Sequence, residues 1–337
     1  MIQITDKTKC CGCTACVSVC PQNCITMQTD DEGFSYPVVN PDLCIGCDAC
    51  EAVCPCLNRK PNPPQPQAMA VRAKDDILRR FSSSGGVFSL LSTDVLNQGG
   101  AVCGAVFGDD FRVQHVIAWD ETGVESMRGA KYVQSDLGDV FRQIRDLVDN
   151  NTPVLFSGTP CQTAGLRAYL GGDADKVLTV AIVCHGVPSP KIWEKNLREL
   201  GTVTDVRLRD KRQSWKRYAT NYFVDGKEIL RPVMDDPYMK GFLRDLYNRP
   251  SCTDCRLRPA ATPTSPWATS GASKNSCLRW TMIRVLRSCS CKPNRVKKPS
   301  RPSLIGWRVK PSPLRRRHSI TLPSPPPHTI TRRETRP

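Results

Sequence analysis

Eleven of the chain's 19 cysteines fall within the first 56 residues, five lie between 103 and 255, and three follow residue 276. Such crowding needs a chemical reason. Cys10, Cys13, Cys16 and Cys20, followed by Pro21, fit C-x2-C-x2-C-x3-C-P, and Cys44, Cys47, Cys50 and Cys54, followed by Pro55, fit it again 34 residues later. Three thiolates at i, i+3 and i+6 can wrap one tight loop around a four-iron cubane, while the fourth, beside a helix-breaking proline, reaches the other cluster. The expected ligand sets are therefore Cys10, Cys13, Cys16 and Cys54 for one cluster, and Cys44, Cys47, Cys50 and Cys20 for the other. Structural zinc asks for two C-x2-C pairs across a longer loop, and a disulfide framework does not suit a chain that begins without an apolar signal core. Gly12 and Gly46 let backbone amides approach the sulfurs. Cys11, Cys24 and Cys56 lie outside the pattern and read as small buried thiols.

The elements that must position these loops follow from local pattern. Ile25-Thr-Met-Gln and Phe34-Ser-Tyr-Pro-Val-Val flank Asp30-Asp31-Glu32-Gly33 as strand, turn and strand. The module looks like a bacterial ferredoxin of two pseudo-symmetric halves. Four prolines in the seven residues 61–67 make a stiff spacer and place a domain boundary at 58–70. Beyond it, Phe81-Ser-Ser-Ser-Gly-Gly-Val-Phe opens a segment in which Val87, Leu90, Leu91, Val95 and Leu96 keep helical spacing. A Ser/Gly turn at a helix N-terminus suits a phosphate, and an ordinary Ser-capped helix has the same signature.

Short apolar runs then alternate with helical patterns: strands at Ala101 to Phe107, His115 to Trp119, Val154 to Phe156 and Val177 to Val183, the last a buried strand, and helices at Leu137 to Val148 and Gln162 to Leu170. This is the rhythm of an α/β layer, whose ligands sit beyond the C-terminal strand ends. Ser157-Gly-Thr-Pro-Cys161-Gln and Cys184-His-Gly-Val-Pro-Ser-Pro190 occupy that position. Ala219 to Val224, Asp225-Gly226 and Lys227 to Leu230 read as a hairpin. Cys161, Cys184, Cys252 and Cys255 together are enough for another cubane, although Cys252 and Cys255 alone could be half a zinc site. His185 is open to a proton-relay role or to plain packing, of which packing is the commoner.

The formal charge of +16 is confined to the end of the chain. Residues 256–337 carry 19 Lys or Arg and a single acid, Glu334, and the first 255 residues are near neutral. Without that tail no nucleic-acid signature remains. The longest buried-looking run, Val177 to Cys184, is far short of the roughly 18 apolar residues of a membrane span. The expectation is a soluble cytoplasmic protein with no membrane span and no nucleic-acid partner, its oligomeric state left open.

The double ferredoxin motif, Ser82-Ser-Ser-Gly-Gly-Val-Phe, Lys131-Tyr-Val-Gln-Ser, the two cysteine motifs at 157–162 and 184–190, Asp236-Pro-Tyr-Met and Arg249-Pro-Ser-Cys-x-x-Cys occur in this order. In this the chain resembles the coenzyme F420 hydrogenase/dehydrogenase beta-subunit family over residues 1 to about 258. Together with the proline linker at 58–70, the resemblance implies an α+β protein: a two-cluster ferredoxin module at 1–57 and a C-terminally incomplete α/β flavin-binding domain at 71–258; the tail at 259–337 lies outside the resemblance and its composition is that of a disordered segment. The resemblance also implies an iron–sulfur flavoprotein oxidoreductase that passes electrons among two [4Fe-4S] clusters, a third held by Cys161, Cys184, Cys252 and Cys255, FAD, and a partner such as coenzyme F420 or ferredoxin. The rival is a ferredoxin-like electron-transfer subunit with no catalysis of its own. FAD is expected near Ser84, Gly85, Gly86, Lys131, Gly158 and Thr159; no acid, base or nucleophile is nominated.

The family is expected to continue with an Asp-Ile-Thr-Leu-Gly-Asp-Phe-Trp-Gly-like motif, and the chain reads Pro263-Thr-Ser-Pro-Trp-Ala-Thr-Ser-Gly-Ala-Ser273. Joining the last base of each codon to the first two of the next allows those residues to spell Asp-Ile-Thr-Leu-Gly-Asp-Phe-Trp-Gly-Ile. Trp280-Thr-Met-Ile likewise must yield two Asp codons. A one-base slip between about Cys255 and Pro263 explains the Pro/Ser/Arg-rich remainder, which holds 13 of the 28 prolines. The competing account is a genuine basic tail that binds an anionic surface or nucleic acid.

Overall fold

The computed structural model describes residues 1–58, 69–214, 217–255 and 257, together with the backbone of 284–286 and 307–311. The two cysteine loops fold alike. Gly12 and Gly46 take φ of +69° and +67°, followed by Thr14 and Asp48 at +59° and +54°. These left-handed residues turn each loop inward before a short helix, α1 (Ala15–Val19) and α2 (Ala49–Ala52). Antiparallel strands β1 (Ile25–Thr29) and β2 (Ser35–Val39) join the halves, with Asp30 accepting from the amides of Glu32 and Phe34 to close the turn.

The linker proline run lies outside the described residues. Strand β3 (Met69–Ala73) follows, then α3 (Asp76–Phe81), capped by Asp75, and α4 (Val87–Asn97), which starts behind Gly86 at φ +83°. The next elements are β4 (Ala101–Phe107), β5 (Val113–Ala118), α5 (Glu121–Met127), α6 (Val140–Asp149), β6 (Val154–Gly158), α7 (Pro160–Leu170) and β7 (Val177–Ala181). Strands β4, β6 and β7 are parallel, and β5 runs antiparallel on the β4 edge. The apolar positions Val140, Phe141, Ile144 and Val148 of α6 share one helical face and pack on Phe156, Leu166 and Leu170. Fully burying side chains of this size contributes about 1.5–3 kcal/mol each. Cys13 and Ala15 of the ferredoxin loop belong to that same core.

A second layer contains α8 (Pro190–Leu200), capped by Ser189, and antiparallel strands β8 (Val203–Asp210), β9 (Ala219–Val224) and β10 (Lys227–Pro232). Asp225 and Gly226, at φ +49° and +75°, make the left-handed two-residue turn that the Asp-Gly pair demands. Helix α9 (Pro237–Leu243) closes this core of Trp193, Tyr222, Tyr238 and Met239. Asp236 is fully buried: it caps α9 through the Met239 amide and accepts from the Thr220 hydroxyl, so the Asp-Pro-Tyr-Met motif is a structural joint. Of the tail expected to be disordered, the described parts are β11 (Arg284–Leu286), antiparallel on β7, and β12 (Trp307–Pro311), antiparallel on β3.

Strand β7 is shorter than the expected 177–183 run. It ends at Ala181, and Ile182 and Val183 stand about half exposed. An apolar run can continue past a strand when its last residues wall a cleft instead of the core, which is the case here.

Candidate iron–sulfur and cofactor site

Two small cavities lie in the ferredoxin module, each about 340 Å³ when the solvent at its mouth is included. Cys10, Cys13 and Cys16 surround one together with Cys54; Cys20 joins Cys44, Cys47 and Cys50 around the other. The fourth thiol of each repeat thus crosses to the other half, as the spacing requires. Cys11 and Cys56 also line the first cavity and Cys24 the second, so these extra thiols are cavity walls and not merely core filler.

Burial pushes the Cys16 thiol up to about 12 and raises Cys10, where the Arg249 guanidinium opposes it. Thiolates in such surroundings need a compensating cation, which cluster iron supplies, so the donor sets fit the cofactor. Cys56 is held down at about 3 by hydrogen bonds from Cys11 and Cys54.

The two cavities face different surroundings. Gly46 has open space where a Cβ would stand, and Ile45 and Cys47 beside it are exposed. Its counterpart Gly12 is pressed against Gln134 and Arg249. Further contacts seat the module: Arg142 donates to the carbonyls of Val17 and Ser18 and to Asn23, Lys191 donates to the Asp31 carbonyl, and the Ser189 hydroxyl donates to the Glu32 carbonyl. Gly165 of α7 lies so close that a Cβ there would sit 2.8 Å from both Cβ and Sγ of Cys13.

Four residues before Gly165, on the same face of α7, Cys161 touches the ferredoxin thiols. The Cys11 thiol is pushed well up by its neighbours Cys13, Cys56 and Cys161. Cys161 itself is brought down to about 7, chiefly by Cys11. Cys252 has Cys161 and Cys255 as electrostatic neighbours and accepts from the Val187 amide. Cys184 begins the same loop, its sulfur 3.7 Å from the Gly186 carbonyl oxygen. His185 packs edge-on against Phe242 and also has Nε2 3.1 Å from an Asp245 carboxylate oxygen, so both of its expected roles stay open.

Beyond the ends of β4, β6 and β7 opens a larger cleft of about 1520 Å³, partly open to solvent. Ser84, Gly86, Lys131, Gly158 and Thr159 all line it. Gly85 does not: its carbonyl turns to the Ala73 amide at 2.7 Å and ties the Ser/Gly turn to β3. Lys131 Nζ donates to the carbonyls of Ser126 and Arg128, both at 2.8 Å, and burial pulls its ammonium down to about 7. Thr159 caps α7, and its hydroxyl lies 3.0 Å from Cys161 Sγ, so the cleft and the thiol region share a wall.

Sequence reasoning missed three residues here. His115 lines the cleft, stacks on Phe156 and is held near 4 by burial. Its Nε2 lies 3.0 Å from the Ser157 carbonyl oxygen, which can only accept; Nε2 therefore carries the proton and Nδ1 keeps an acceptor lone pair, with no partner among the described residues. Gln162 completes the α7 capping box and donates to Ser135 at 2.8 Å. Arg249 is fully buried against the first cavity. The signal for each is spatial, since most of their partners lie dozens to hundreds of residues away.

Residues 9–58 match the family model described as 4Fe-4S dicluster domain. Residues 152–262 match the model for the carboxy terminus of the coenzyme F420 hydrogenase/dehydrogenase beta subunit. The resemblance to the F420 hydrogenase/dehydrogenase beta-subunit family holds. No curated protein matches the chain. Among solved structures, a chain of the xenon-derivatized F420-reducing [NiFe] hydrogenase complex from Methanosarcina barkeri aligns at 16% identity over 57% of this chain and 68% of that one, with a TM-score of 0.41. The chain thus carries an iron–sulfur domain of the kind that holds two [4Fe-4S] clusters and, over residues 152–262, is related to the coenzyme F420 hydrogenase/dehydrogenase beta subunit. Among its described residues no helix is long and apolar enough to cross a membrane.

Proposed function

We propose that the chain is an iron–sulfur flavoprotein oxidoreductase that passes electrons between the two ferredoxin clusters, a third cluster at Cys161, Cys184, Cys252 and Cys255, FAD in the cleft, and a redox partner such as coenzyme F420 or ferredoxin. The observation that carries this reading is the neighbourhood of Cys11, which lines the first cavity, with Cys161, whose sulfur lies 3.0 Å from Thr159 at the cleft wall. An electron leaving the first cluster would have a thiol-lined route to the cleft through Cys11 and Cys161.

When bound, FAD supplies the step between two-electron hydride chemistry and one-electron cluster chemistry. The residues fit it. The free amides at the start of α4, behind Ser84 and Gly86, offer donors and a positive dipole end for phosphate oxygens. Lys131 stands on the cleft wall, where a bound phosphate would favour the protonated form that burial alone disfavours. Ile182 and Val183 shield a planar ring from water. Ile45 and Cys47, exposed at the second cavity, are where a partner protein would exchange electrons. The domain division at 57, 70 and 258 follows the same reading, and the second family match stops at residue 262, where the inferred base slip falls.

The test is to mix the anaerobic, FAD-loaded chain with reduced F420, NADH or reduced ferredoxin and follow flavin bleaching. One of the donors should bleach the flavin within the mixing experiment and reduce the clusters in step. Bleaching by none, with clusters still reducible by dithionite, would leave an electron-transfer subunit without its own catalysis.

A further inference from the structure

The two ferredoxin halves repeat each other down to the φ angles of Gly12 and Gly46, Thr14 and Asp48, yet among the described residues only one of them meets a buried cation. Arg249, with 0% of its surface exposed, donates from Nε to the Cys10 carbonyl at 2.8 Å and from Nη2 to the Ser35 carbonyl at 2.9 Å. Nη1 donates to Gln134 Oε1 at 3.1 Å, and Nη2 also lies 3.6 Å from Cys10 Sγ. The guanidinium stacks over Tyr36, its carbon 4.3 Å from the ring centroid. Among the described residues no carboxylate pairs with it. A buried, unpaired charge is costly unless something nearby balances it, and the group it points at is a cluster ligand. At the equivalent place in the second half, Gly46 faces open space and Asp48 rims the cavity.

We infer that Arg249 is a positioning and potential-setting residue that makes the cluster in the Cys10 cavity the more easily reduced of the two. Reduction adds one electron, and so one negative charge, to the cluster; a fixed guanidinium beside its thiolate and a hydrogen bond to that sulfur stabilise the reduced form, and both raise the potential. Solvent, the Asp48 carboxylate and the partly exposed Met1 ammonium that it pairs with at 2.7 Å surround the second cavity instead, so its carboxylate and cation offset each other. Electrons arriving at the exposed cluster then run downhill toward the domain that supplies Arg249. The inference deepens the proposed function and rests on its reading of both cavities as cluster sites.

The experiment is a potentiometric titration of the full chain, reconstituted anaerobically with iron and sulfide and followed by electron paramagnetic resonance. In the native chain the cluster that resists an iron chelator longest, the enclosed one, must have the higher midpoint potential. Arg249→Gln should lower that midpoint at least tenfold in the reduced-to-oxidised ratio, about 59 mV for a one-electron couple, and leave the exposed cluster unmoved. Arg249→Lys, which keeps the charge, should recover most of the shift. A native chain whose chelator-resistant cluster has the lower potential overturns the inference even if the variants fail to fold. So does an Arg249→Gln chain with both clusters present and neither midpoint shifted. A native chain that holds fewer than about eight irons removes the two-cluster reading itself.

Discussion

Gly165→Ala tests the seating of α7 on the first cluster loop. The added methyl would stand 2.8 Å from Cβ and Sγ of Cys13, closer than van der Waals contact allows, and a bound cluster would hold Cys13 in place as well. At a roomy helix position Ala is favoured over Gly by about 1 kcal/mol. Overpacking a tight contact costs about 1–3 kcal/mol, and the upper end applies here because neither blocking atom is the free end of a flexible side chain. The net is about 2 kcal/mol of destabilisation, or about 4–8 °C in apparent melting temperature for a domain of this size. Differential scanning fluorimetry under anaerobic conditions, with iron counted before and after, reads both consequences. Gly172→Ala, at a position with open space, is the control and should gain about 0.4–1 kcal/mol. If Gly165→Ala melts higher than the native chain and keeps all its iron, α7 does not press on Cys13, and the proposed electron route through this face is wrong.

Lys131 holds its proton only up to about pH 7 in the folded chain and up to about 10.5 when unfolded. The unfolded state therefore binds more protons across that window, and stability rises with pH through it. Urea midpoints at pH 7, 8 and 9 should climb in the native chain and flatten in Lys131→Met; equal slopes would show that the ammonium is not desolvated. Cys161→Ser should remove about four irons and leave the two ferredoxin signals intact, whereas unchanged iron rejects the third cluster. Gly226→Val, forced into φ +75°, should cost on the order of 1–2 kcal/mol in an equilibrium unfolding curve, and a neutral result would mean the hairpin turn relaxes. Sequencing the gene across codons 250–285 should reveal a one-base difference that restores the Asp-Ile-Thr-Leu-Gly-Asp-Phe-Trp-Gly segment; an identical sequence makes the basic tail the chain's own.

What could be read along the chain was whatever spacing and turn chemistry encode. The two cysteine repeats carried the exchange of Cys20 and Cys54 between cavities, because the proline after each directs the fourth thiol away from its own loop. The Asp225-Gly226 pair announced its hairpin by the left-handed turn only such residues adopt cheaply. Ile182 and Val183 were misleading for a physical reason: their apolarity signals burial, and they are half exposed at the cleft. Gly85 looked equivalent to its neighbours Ser84 and Gly86 in a run of small residues, but its carbonyl belongs to β3, and composition does not say which way a peptide faces.

The residues that tie the parts together were the hardest to see. Arg249 precedes a cysteine motif and looks like its flank, yet its partner Cys10 is 239 positions away. His115 is a lone histidine in a strand, and its role depends on the Ser157 carbonyl, 42 residues on. Cys11 fell outside the ligand pattern, and only the packing of α7 against its loop places it between a cluster cavity and Cys161.

The central claim is that clusters and flavin share this one chain. The most direct measurement is the stoichiometry of iron and acid-released flavin in the full chain, purified anaerobically and incubated with iron, sulfide and FAD. The account predicts about one FAD alongside about eight to twelve irons, with flavin fluorescence quenched in the complex. A full complement of iron with no retained flavin would contradict it, and would make the chain a carrier of electrons without a flavin of its own.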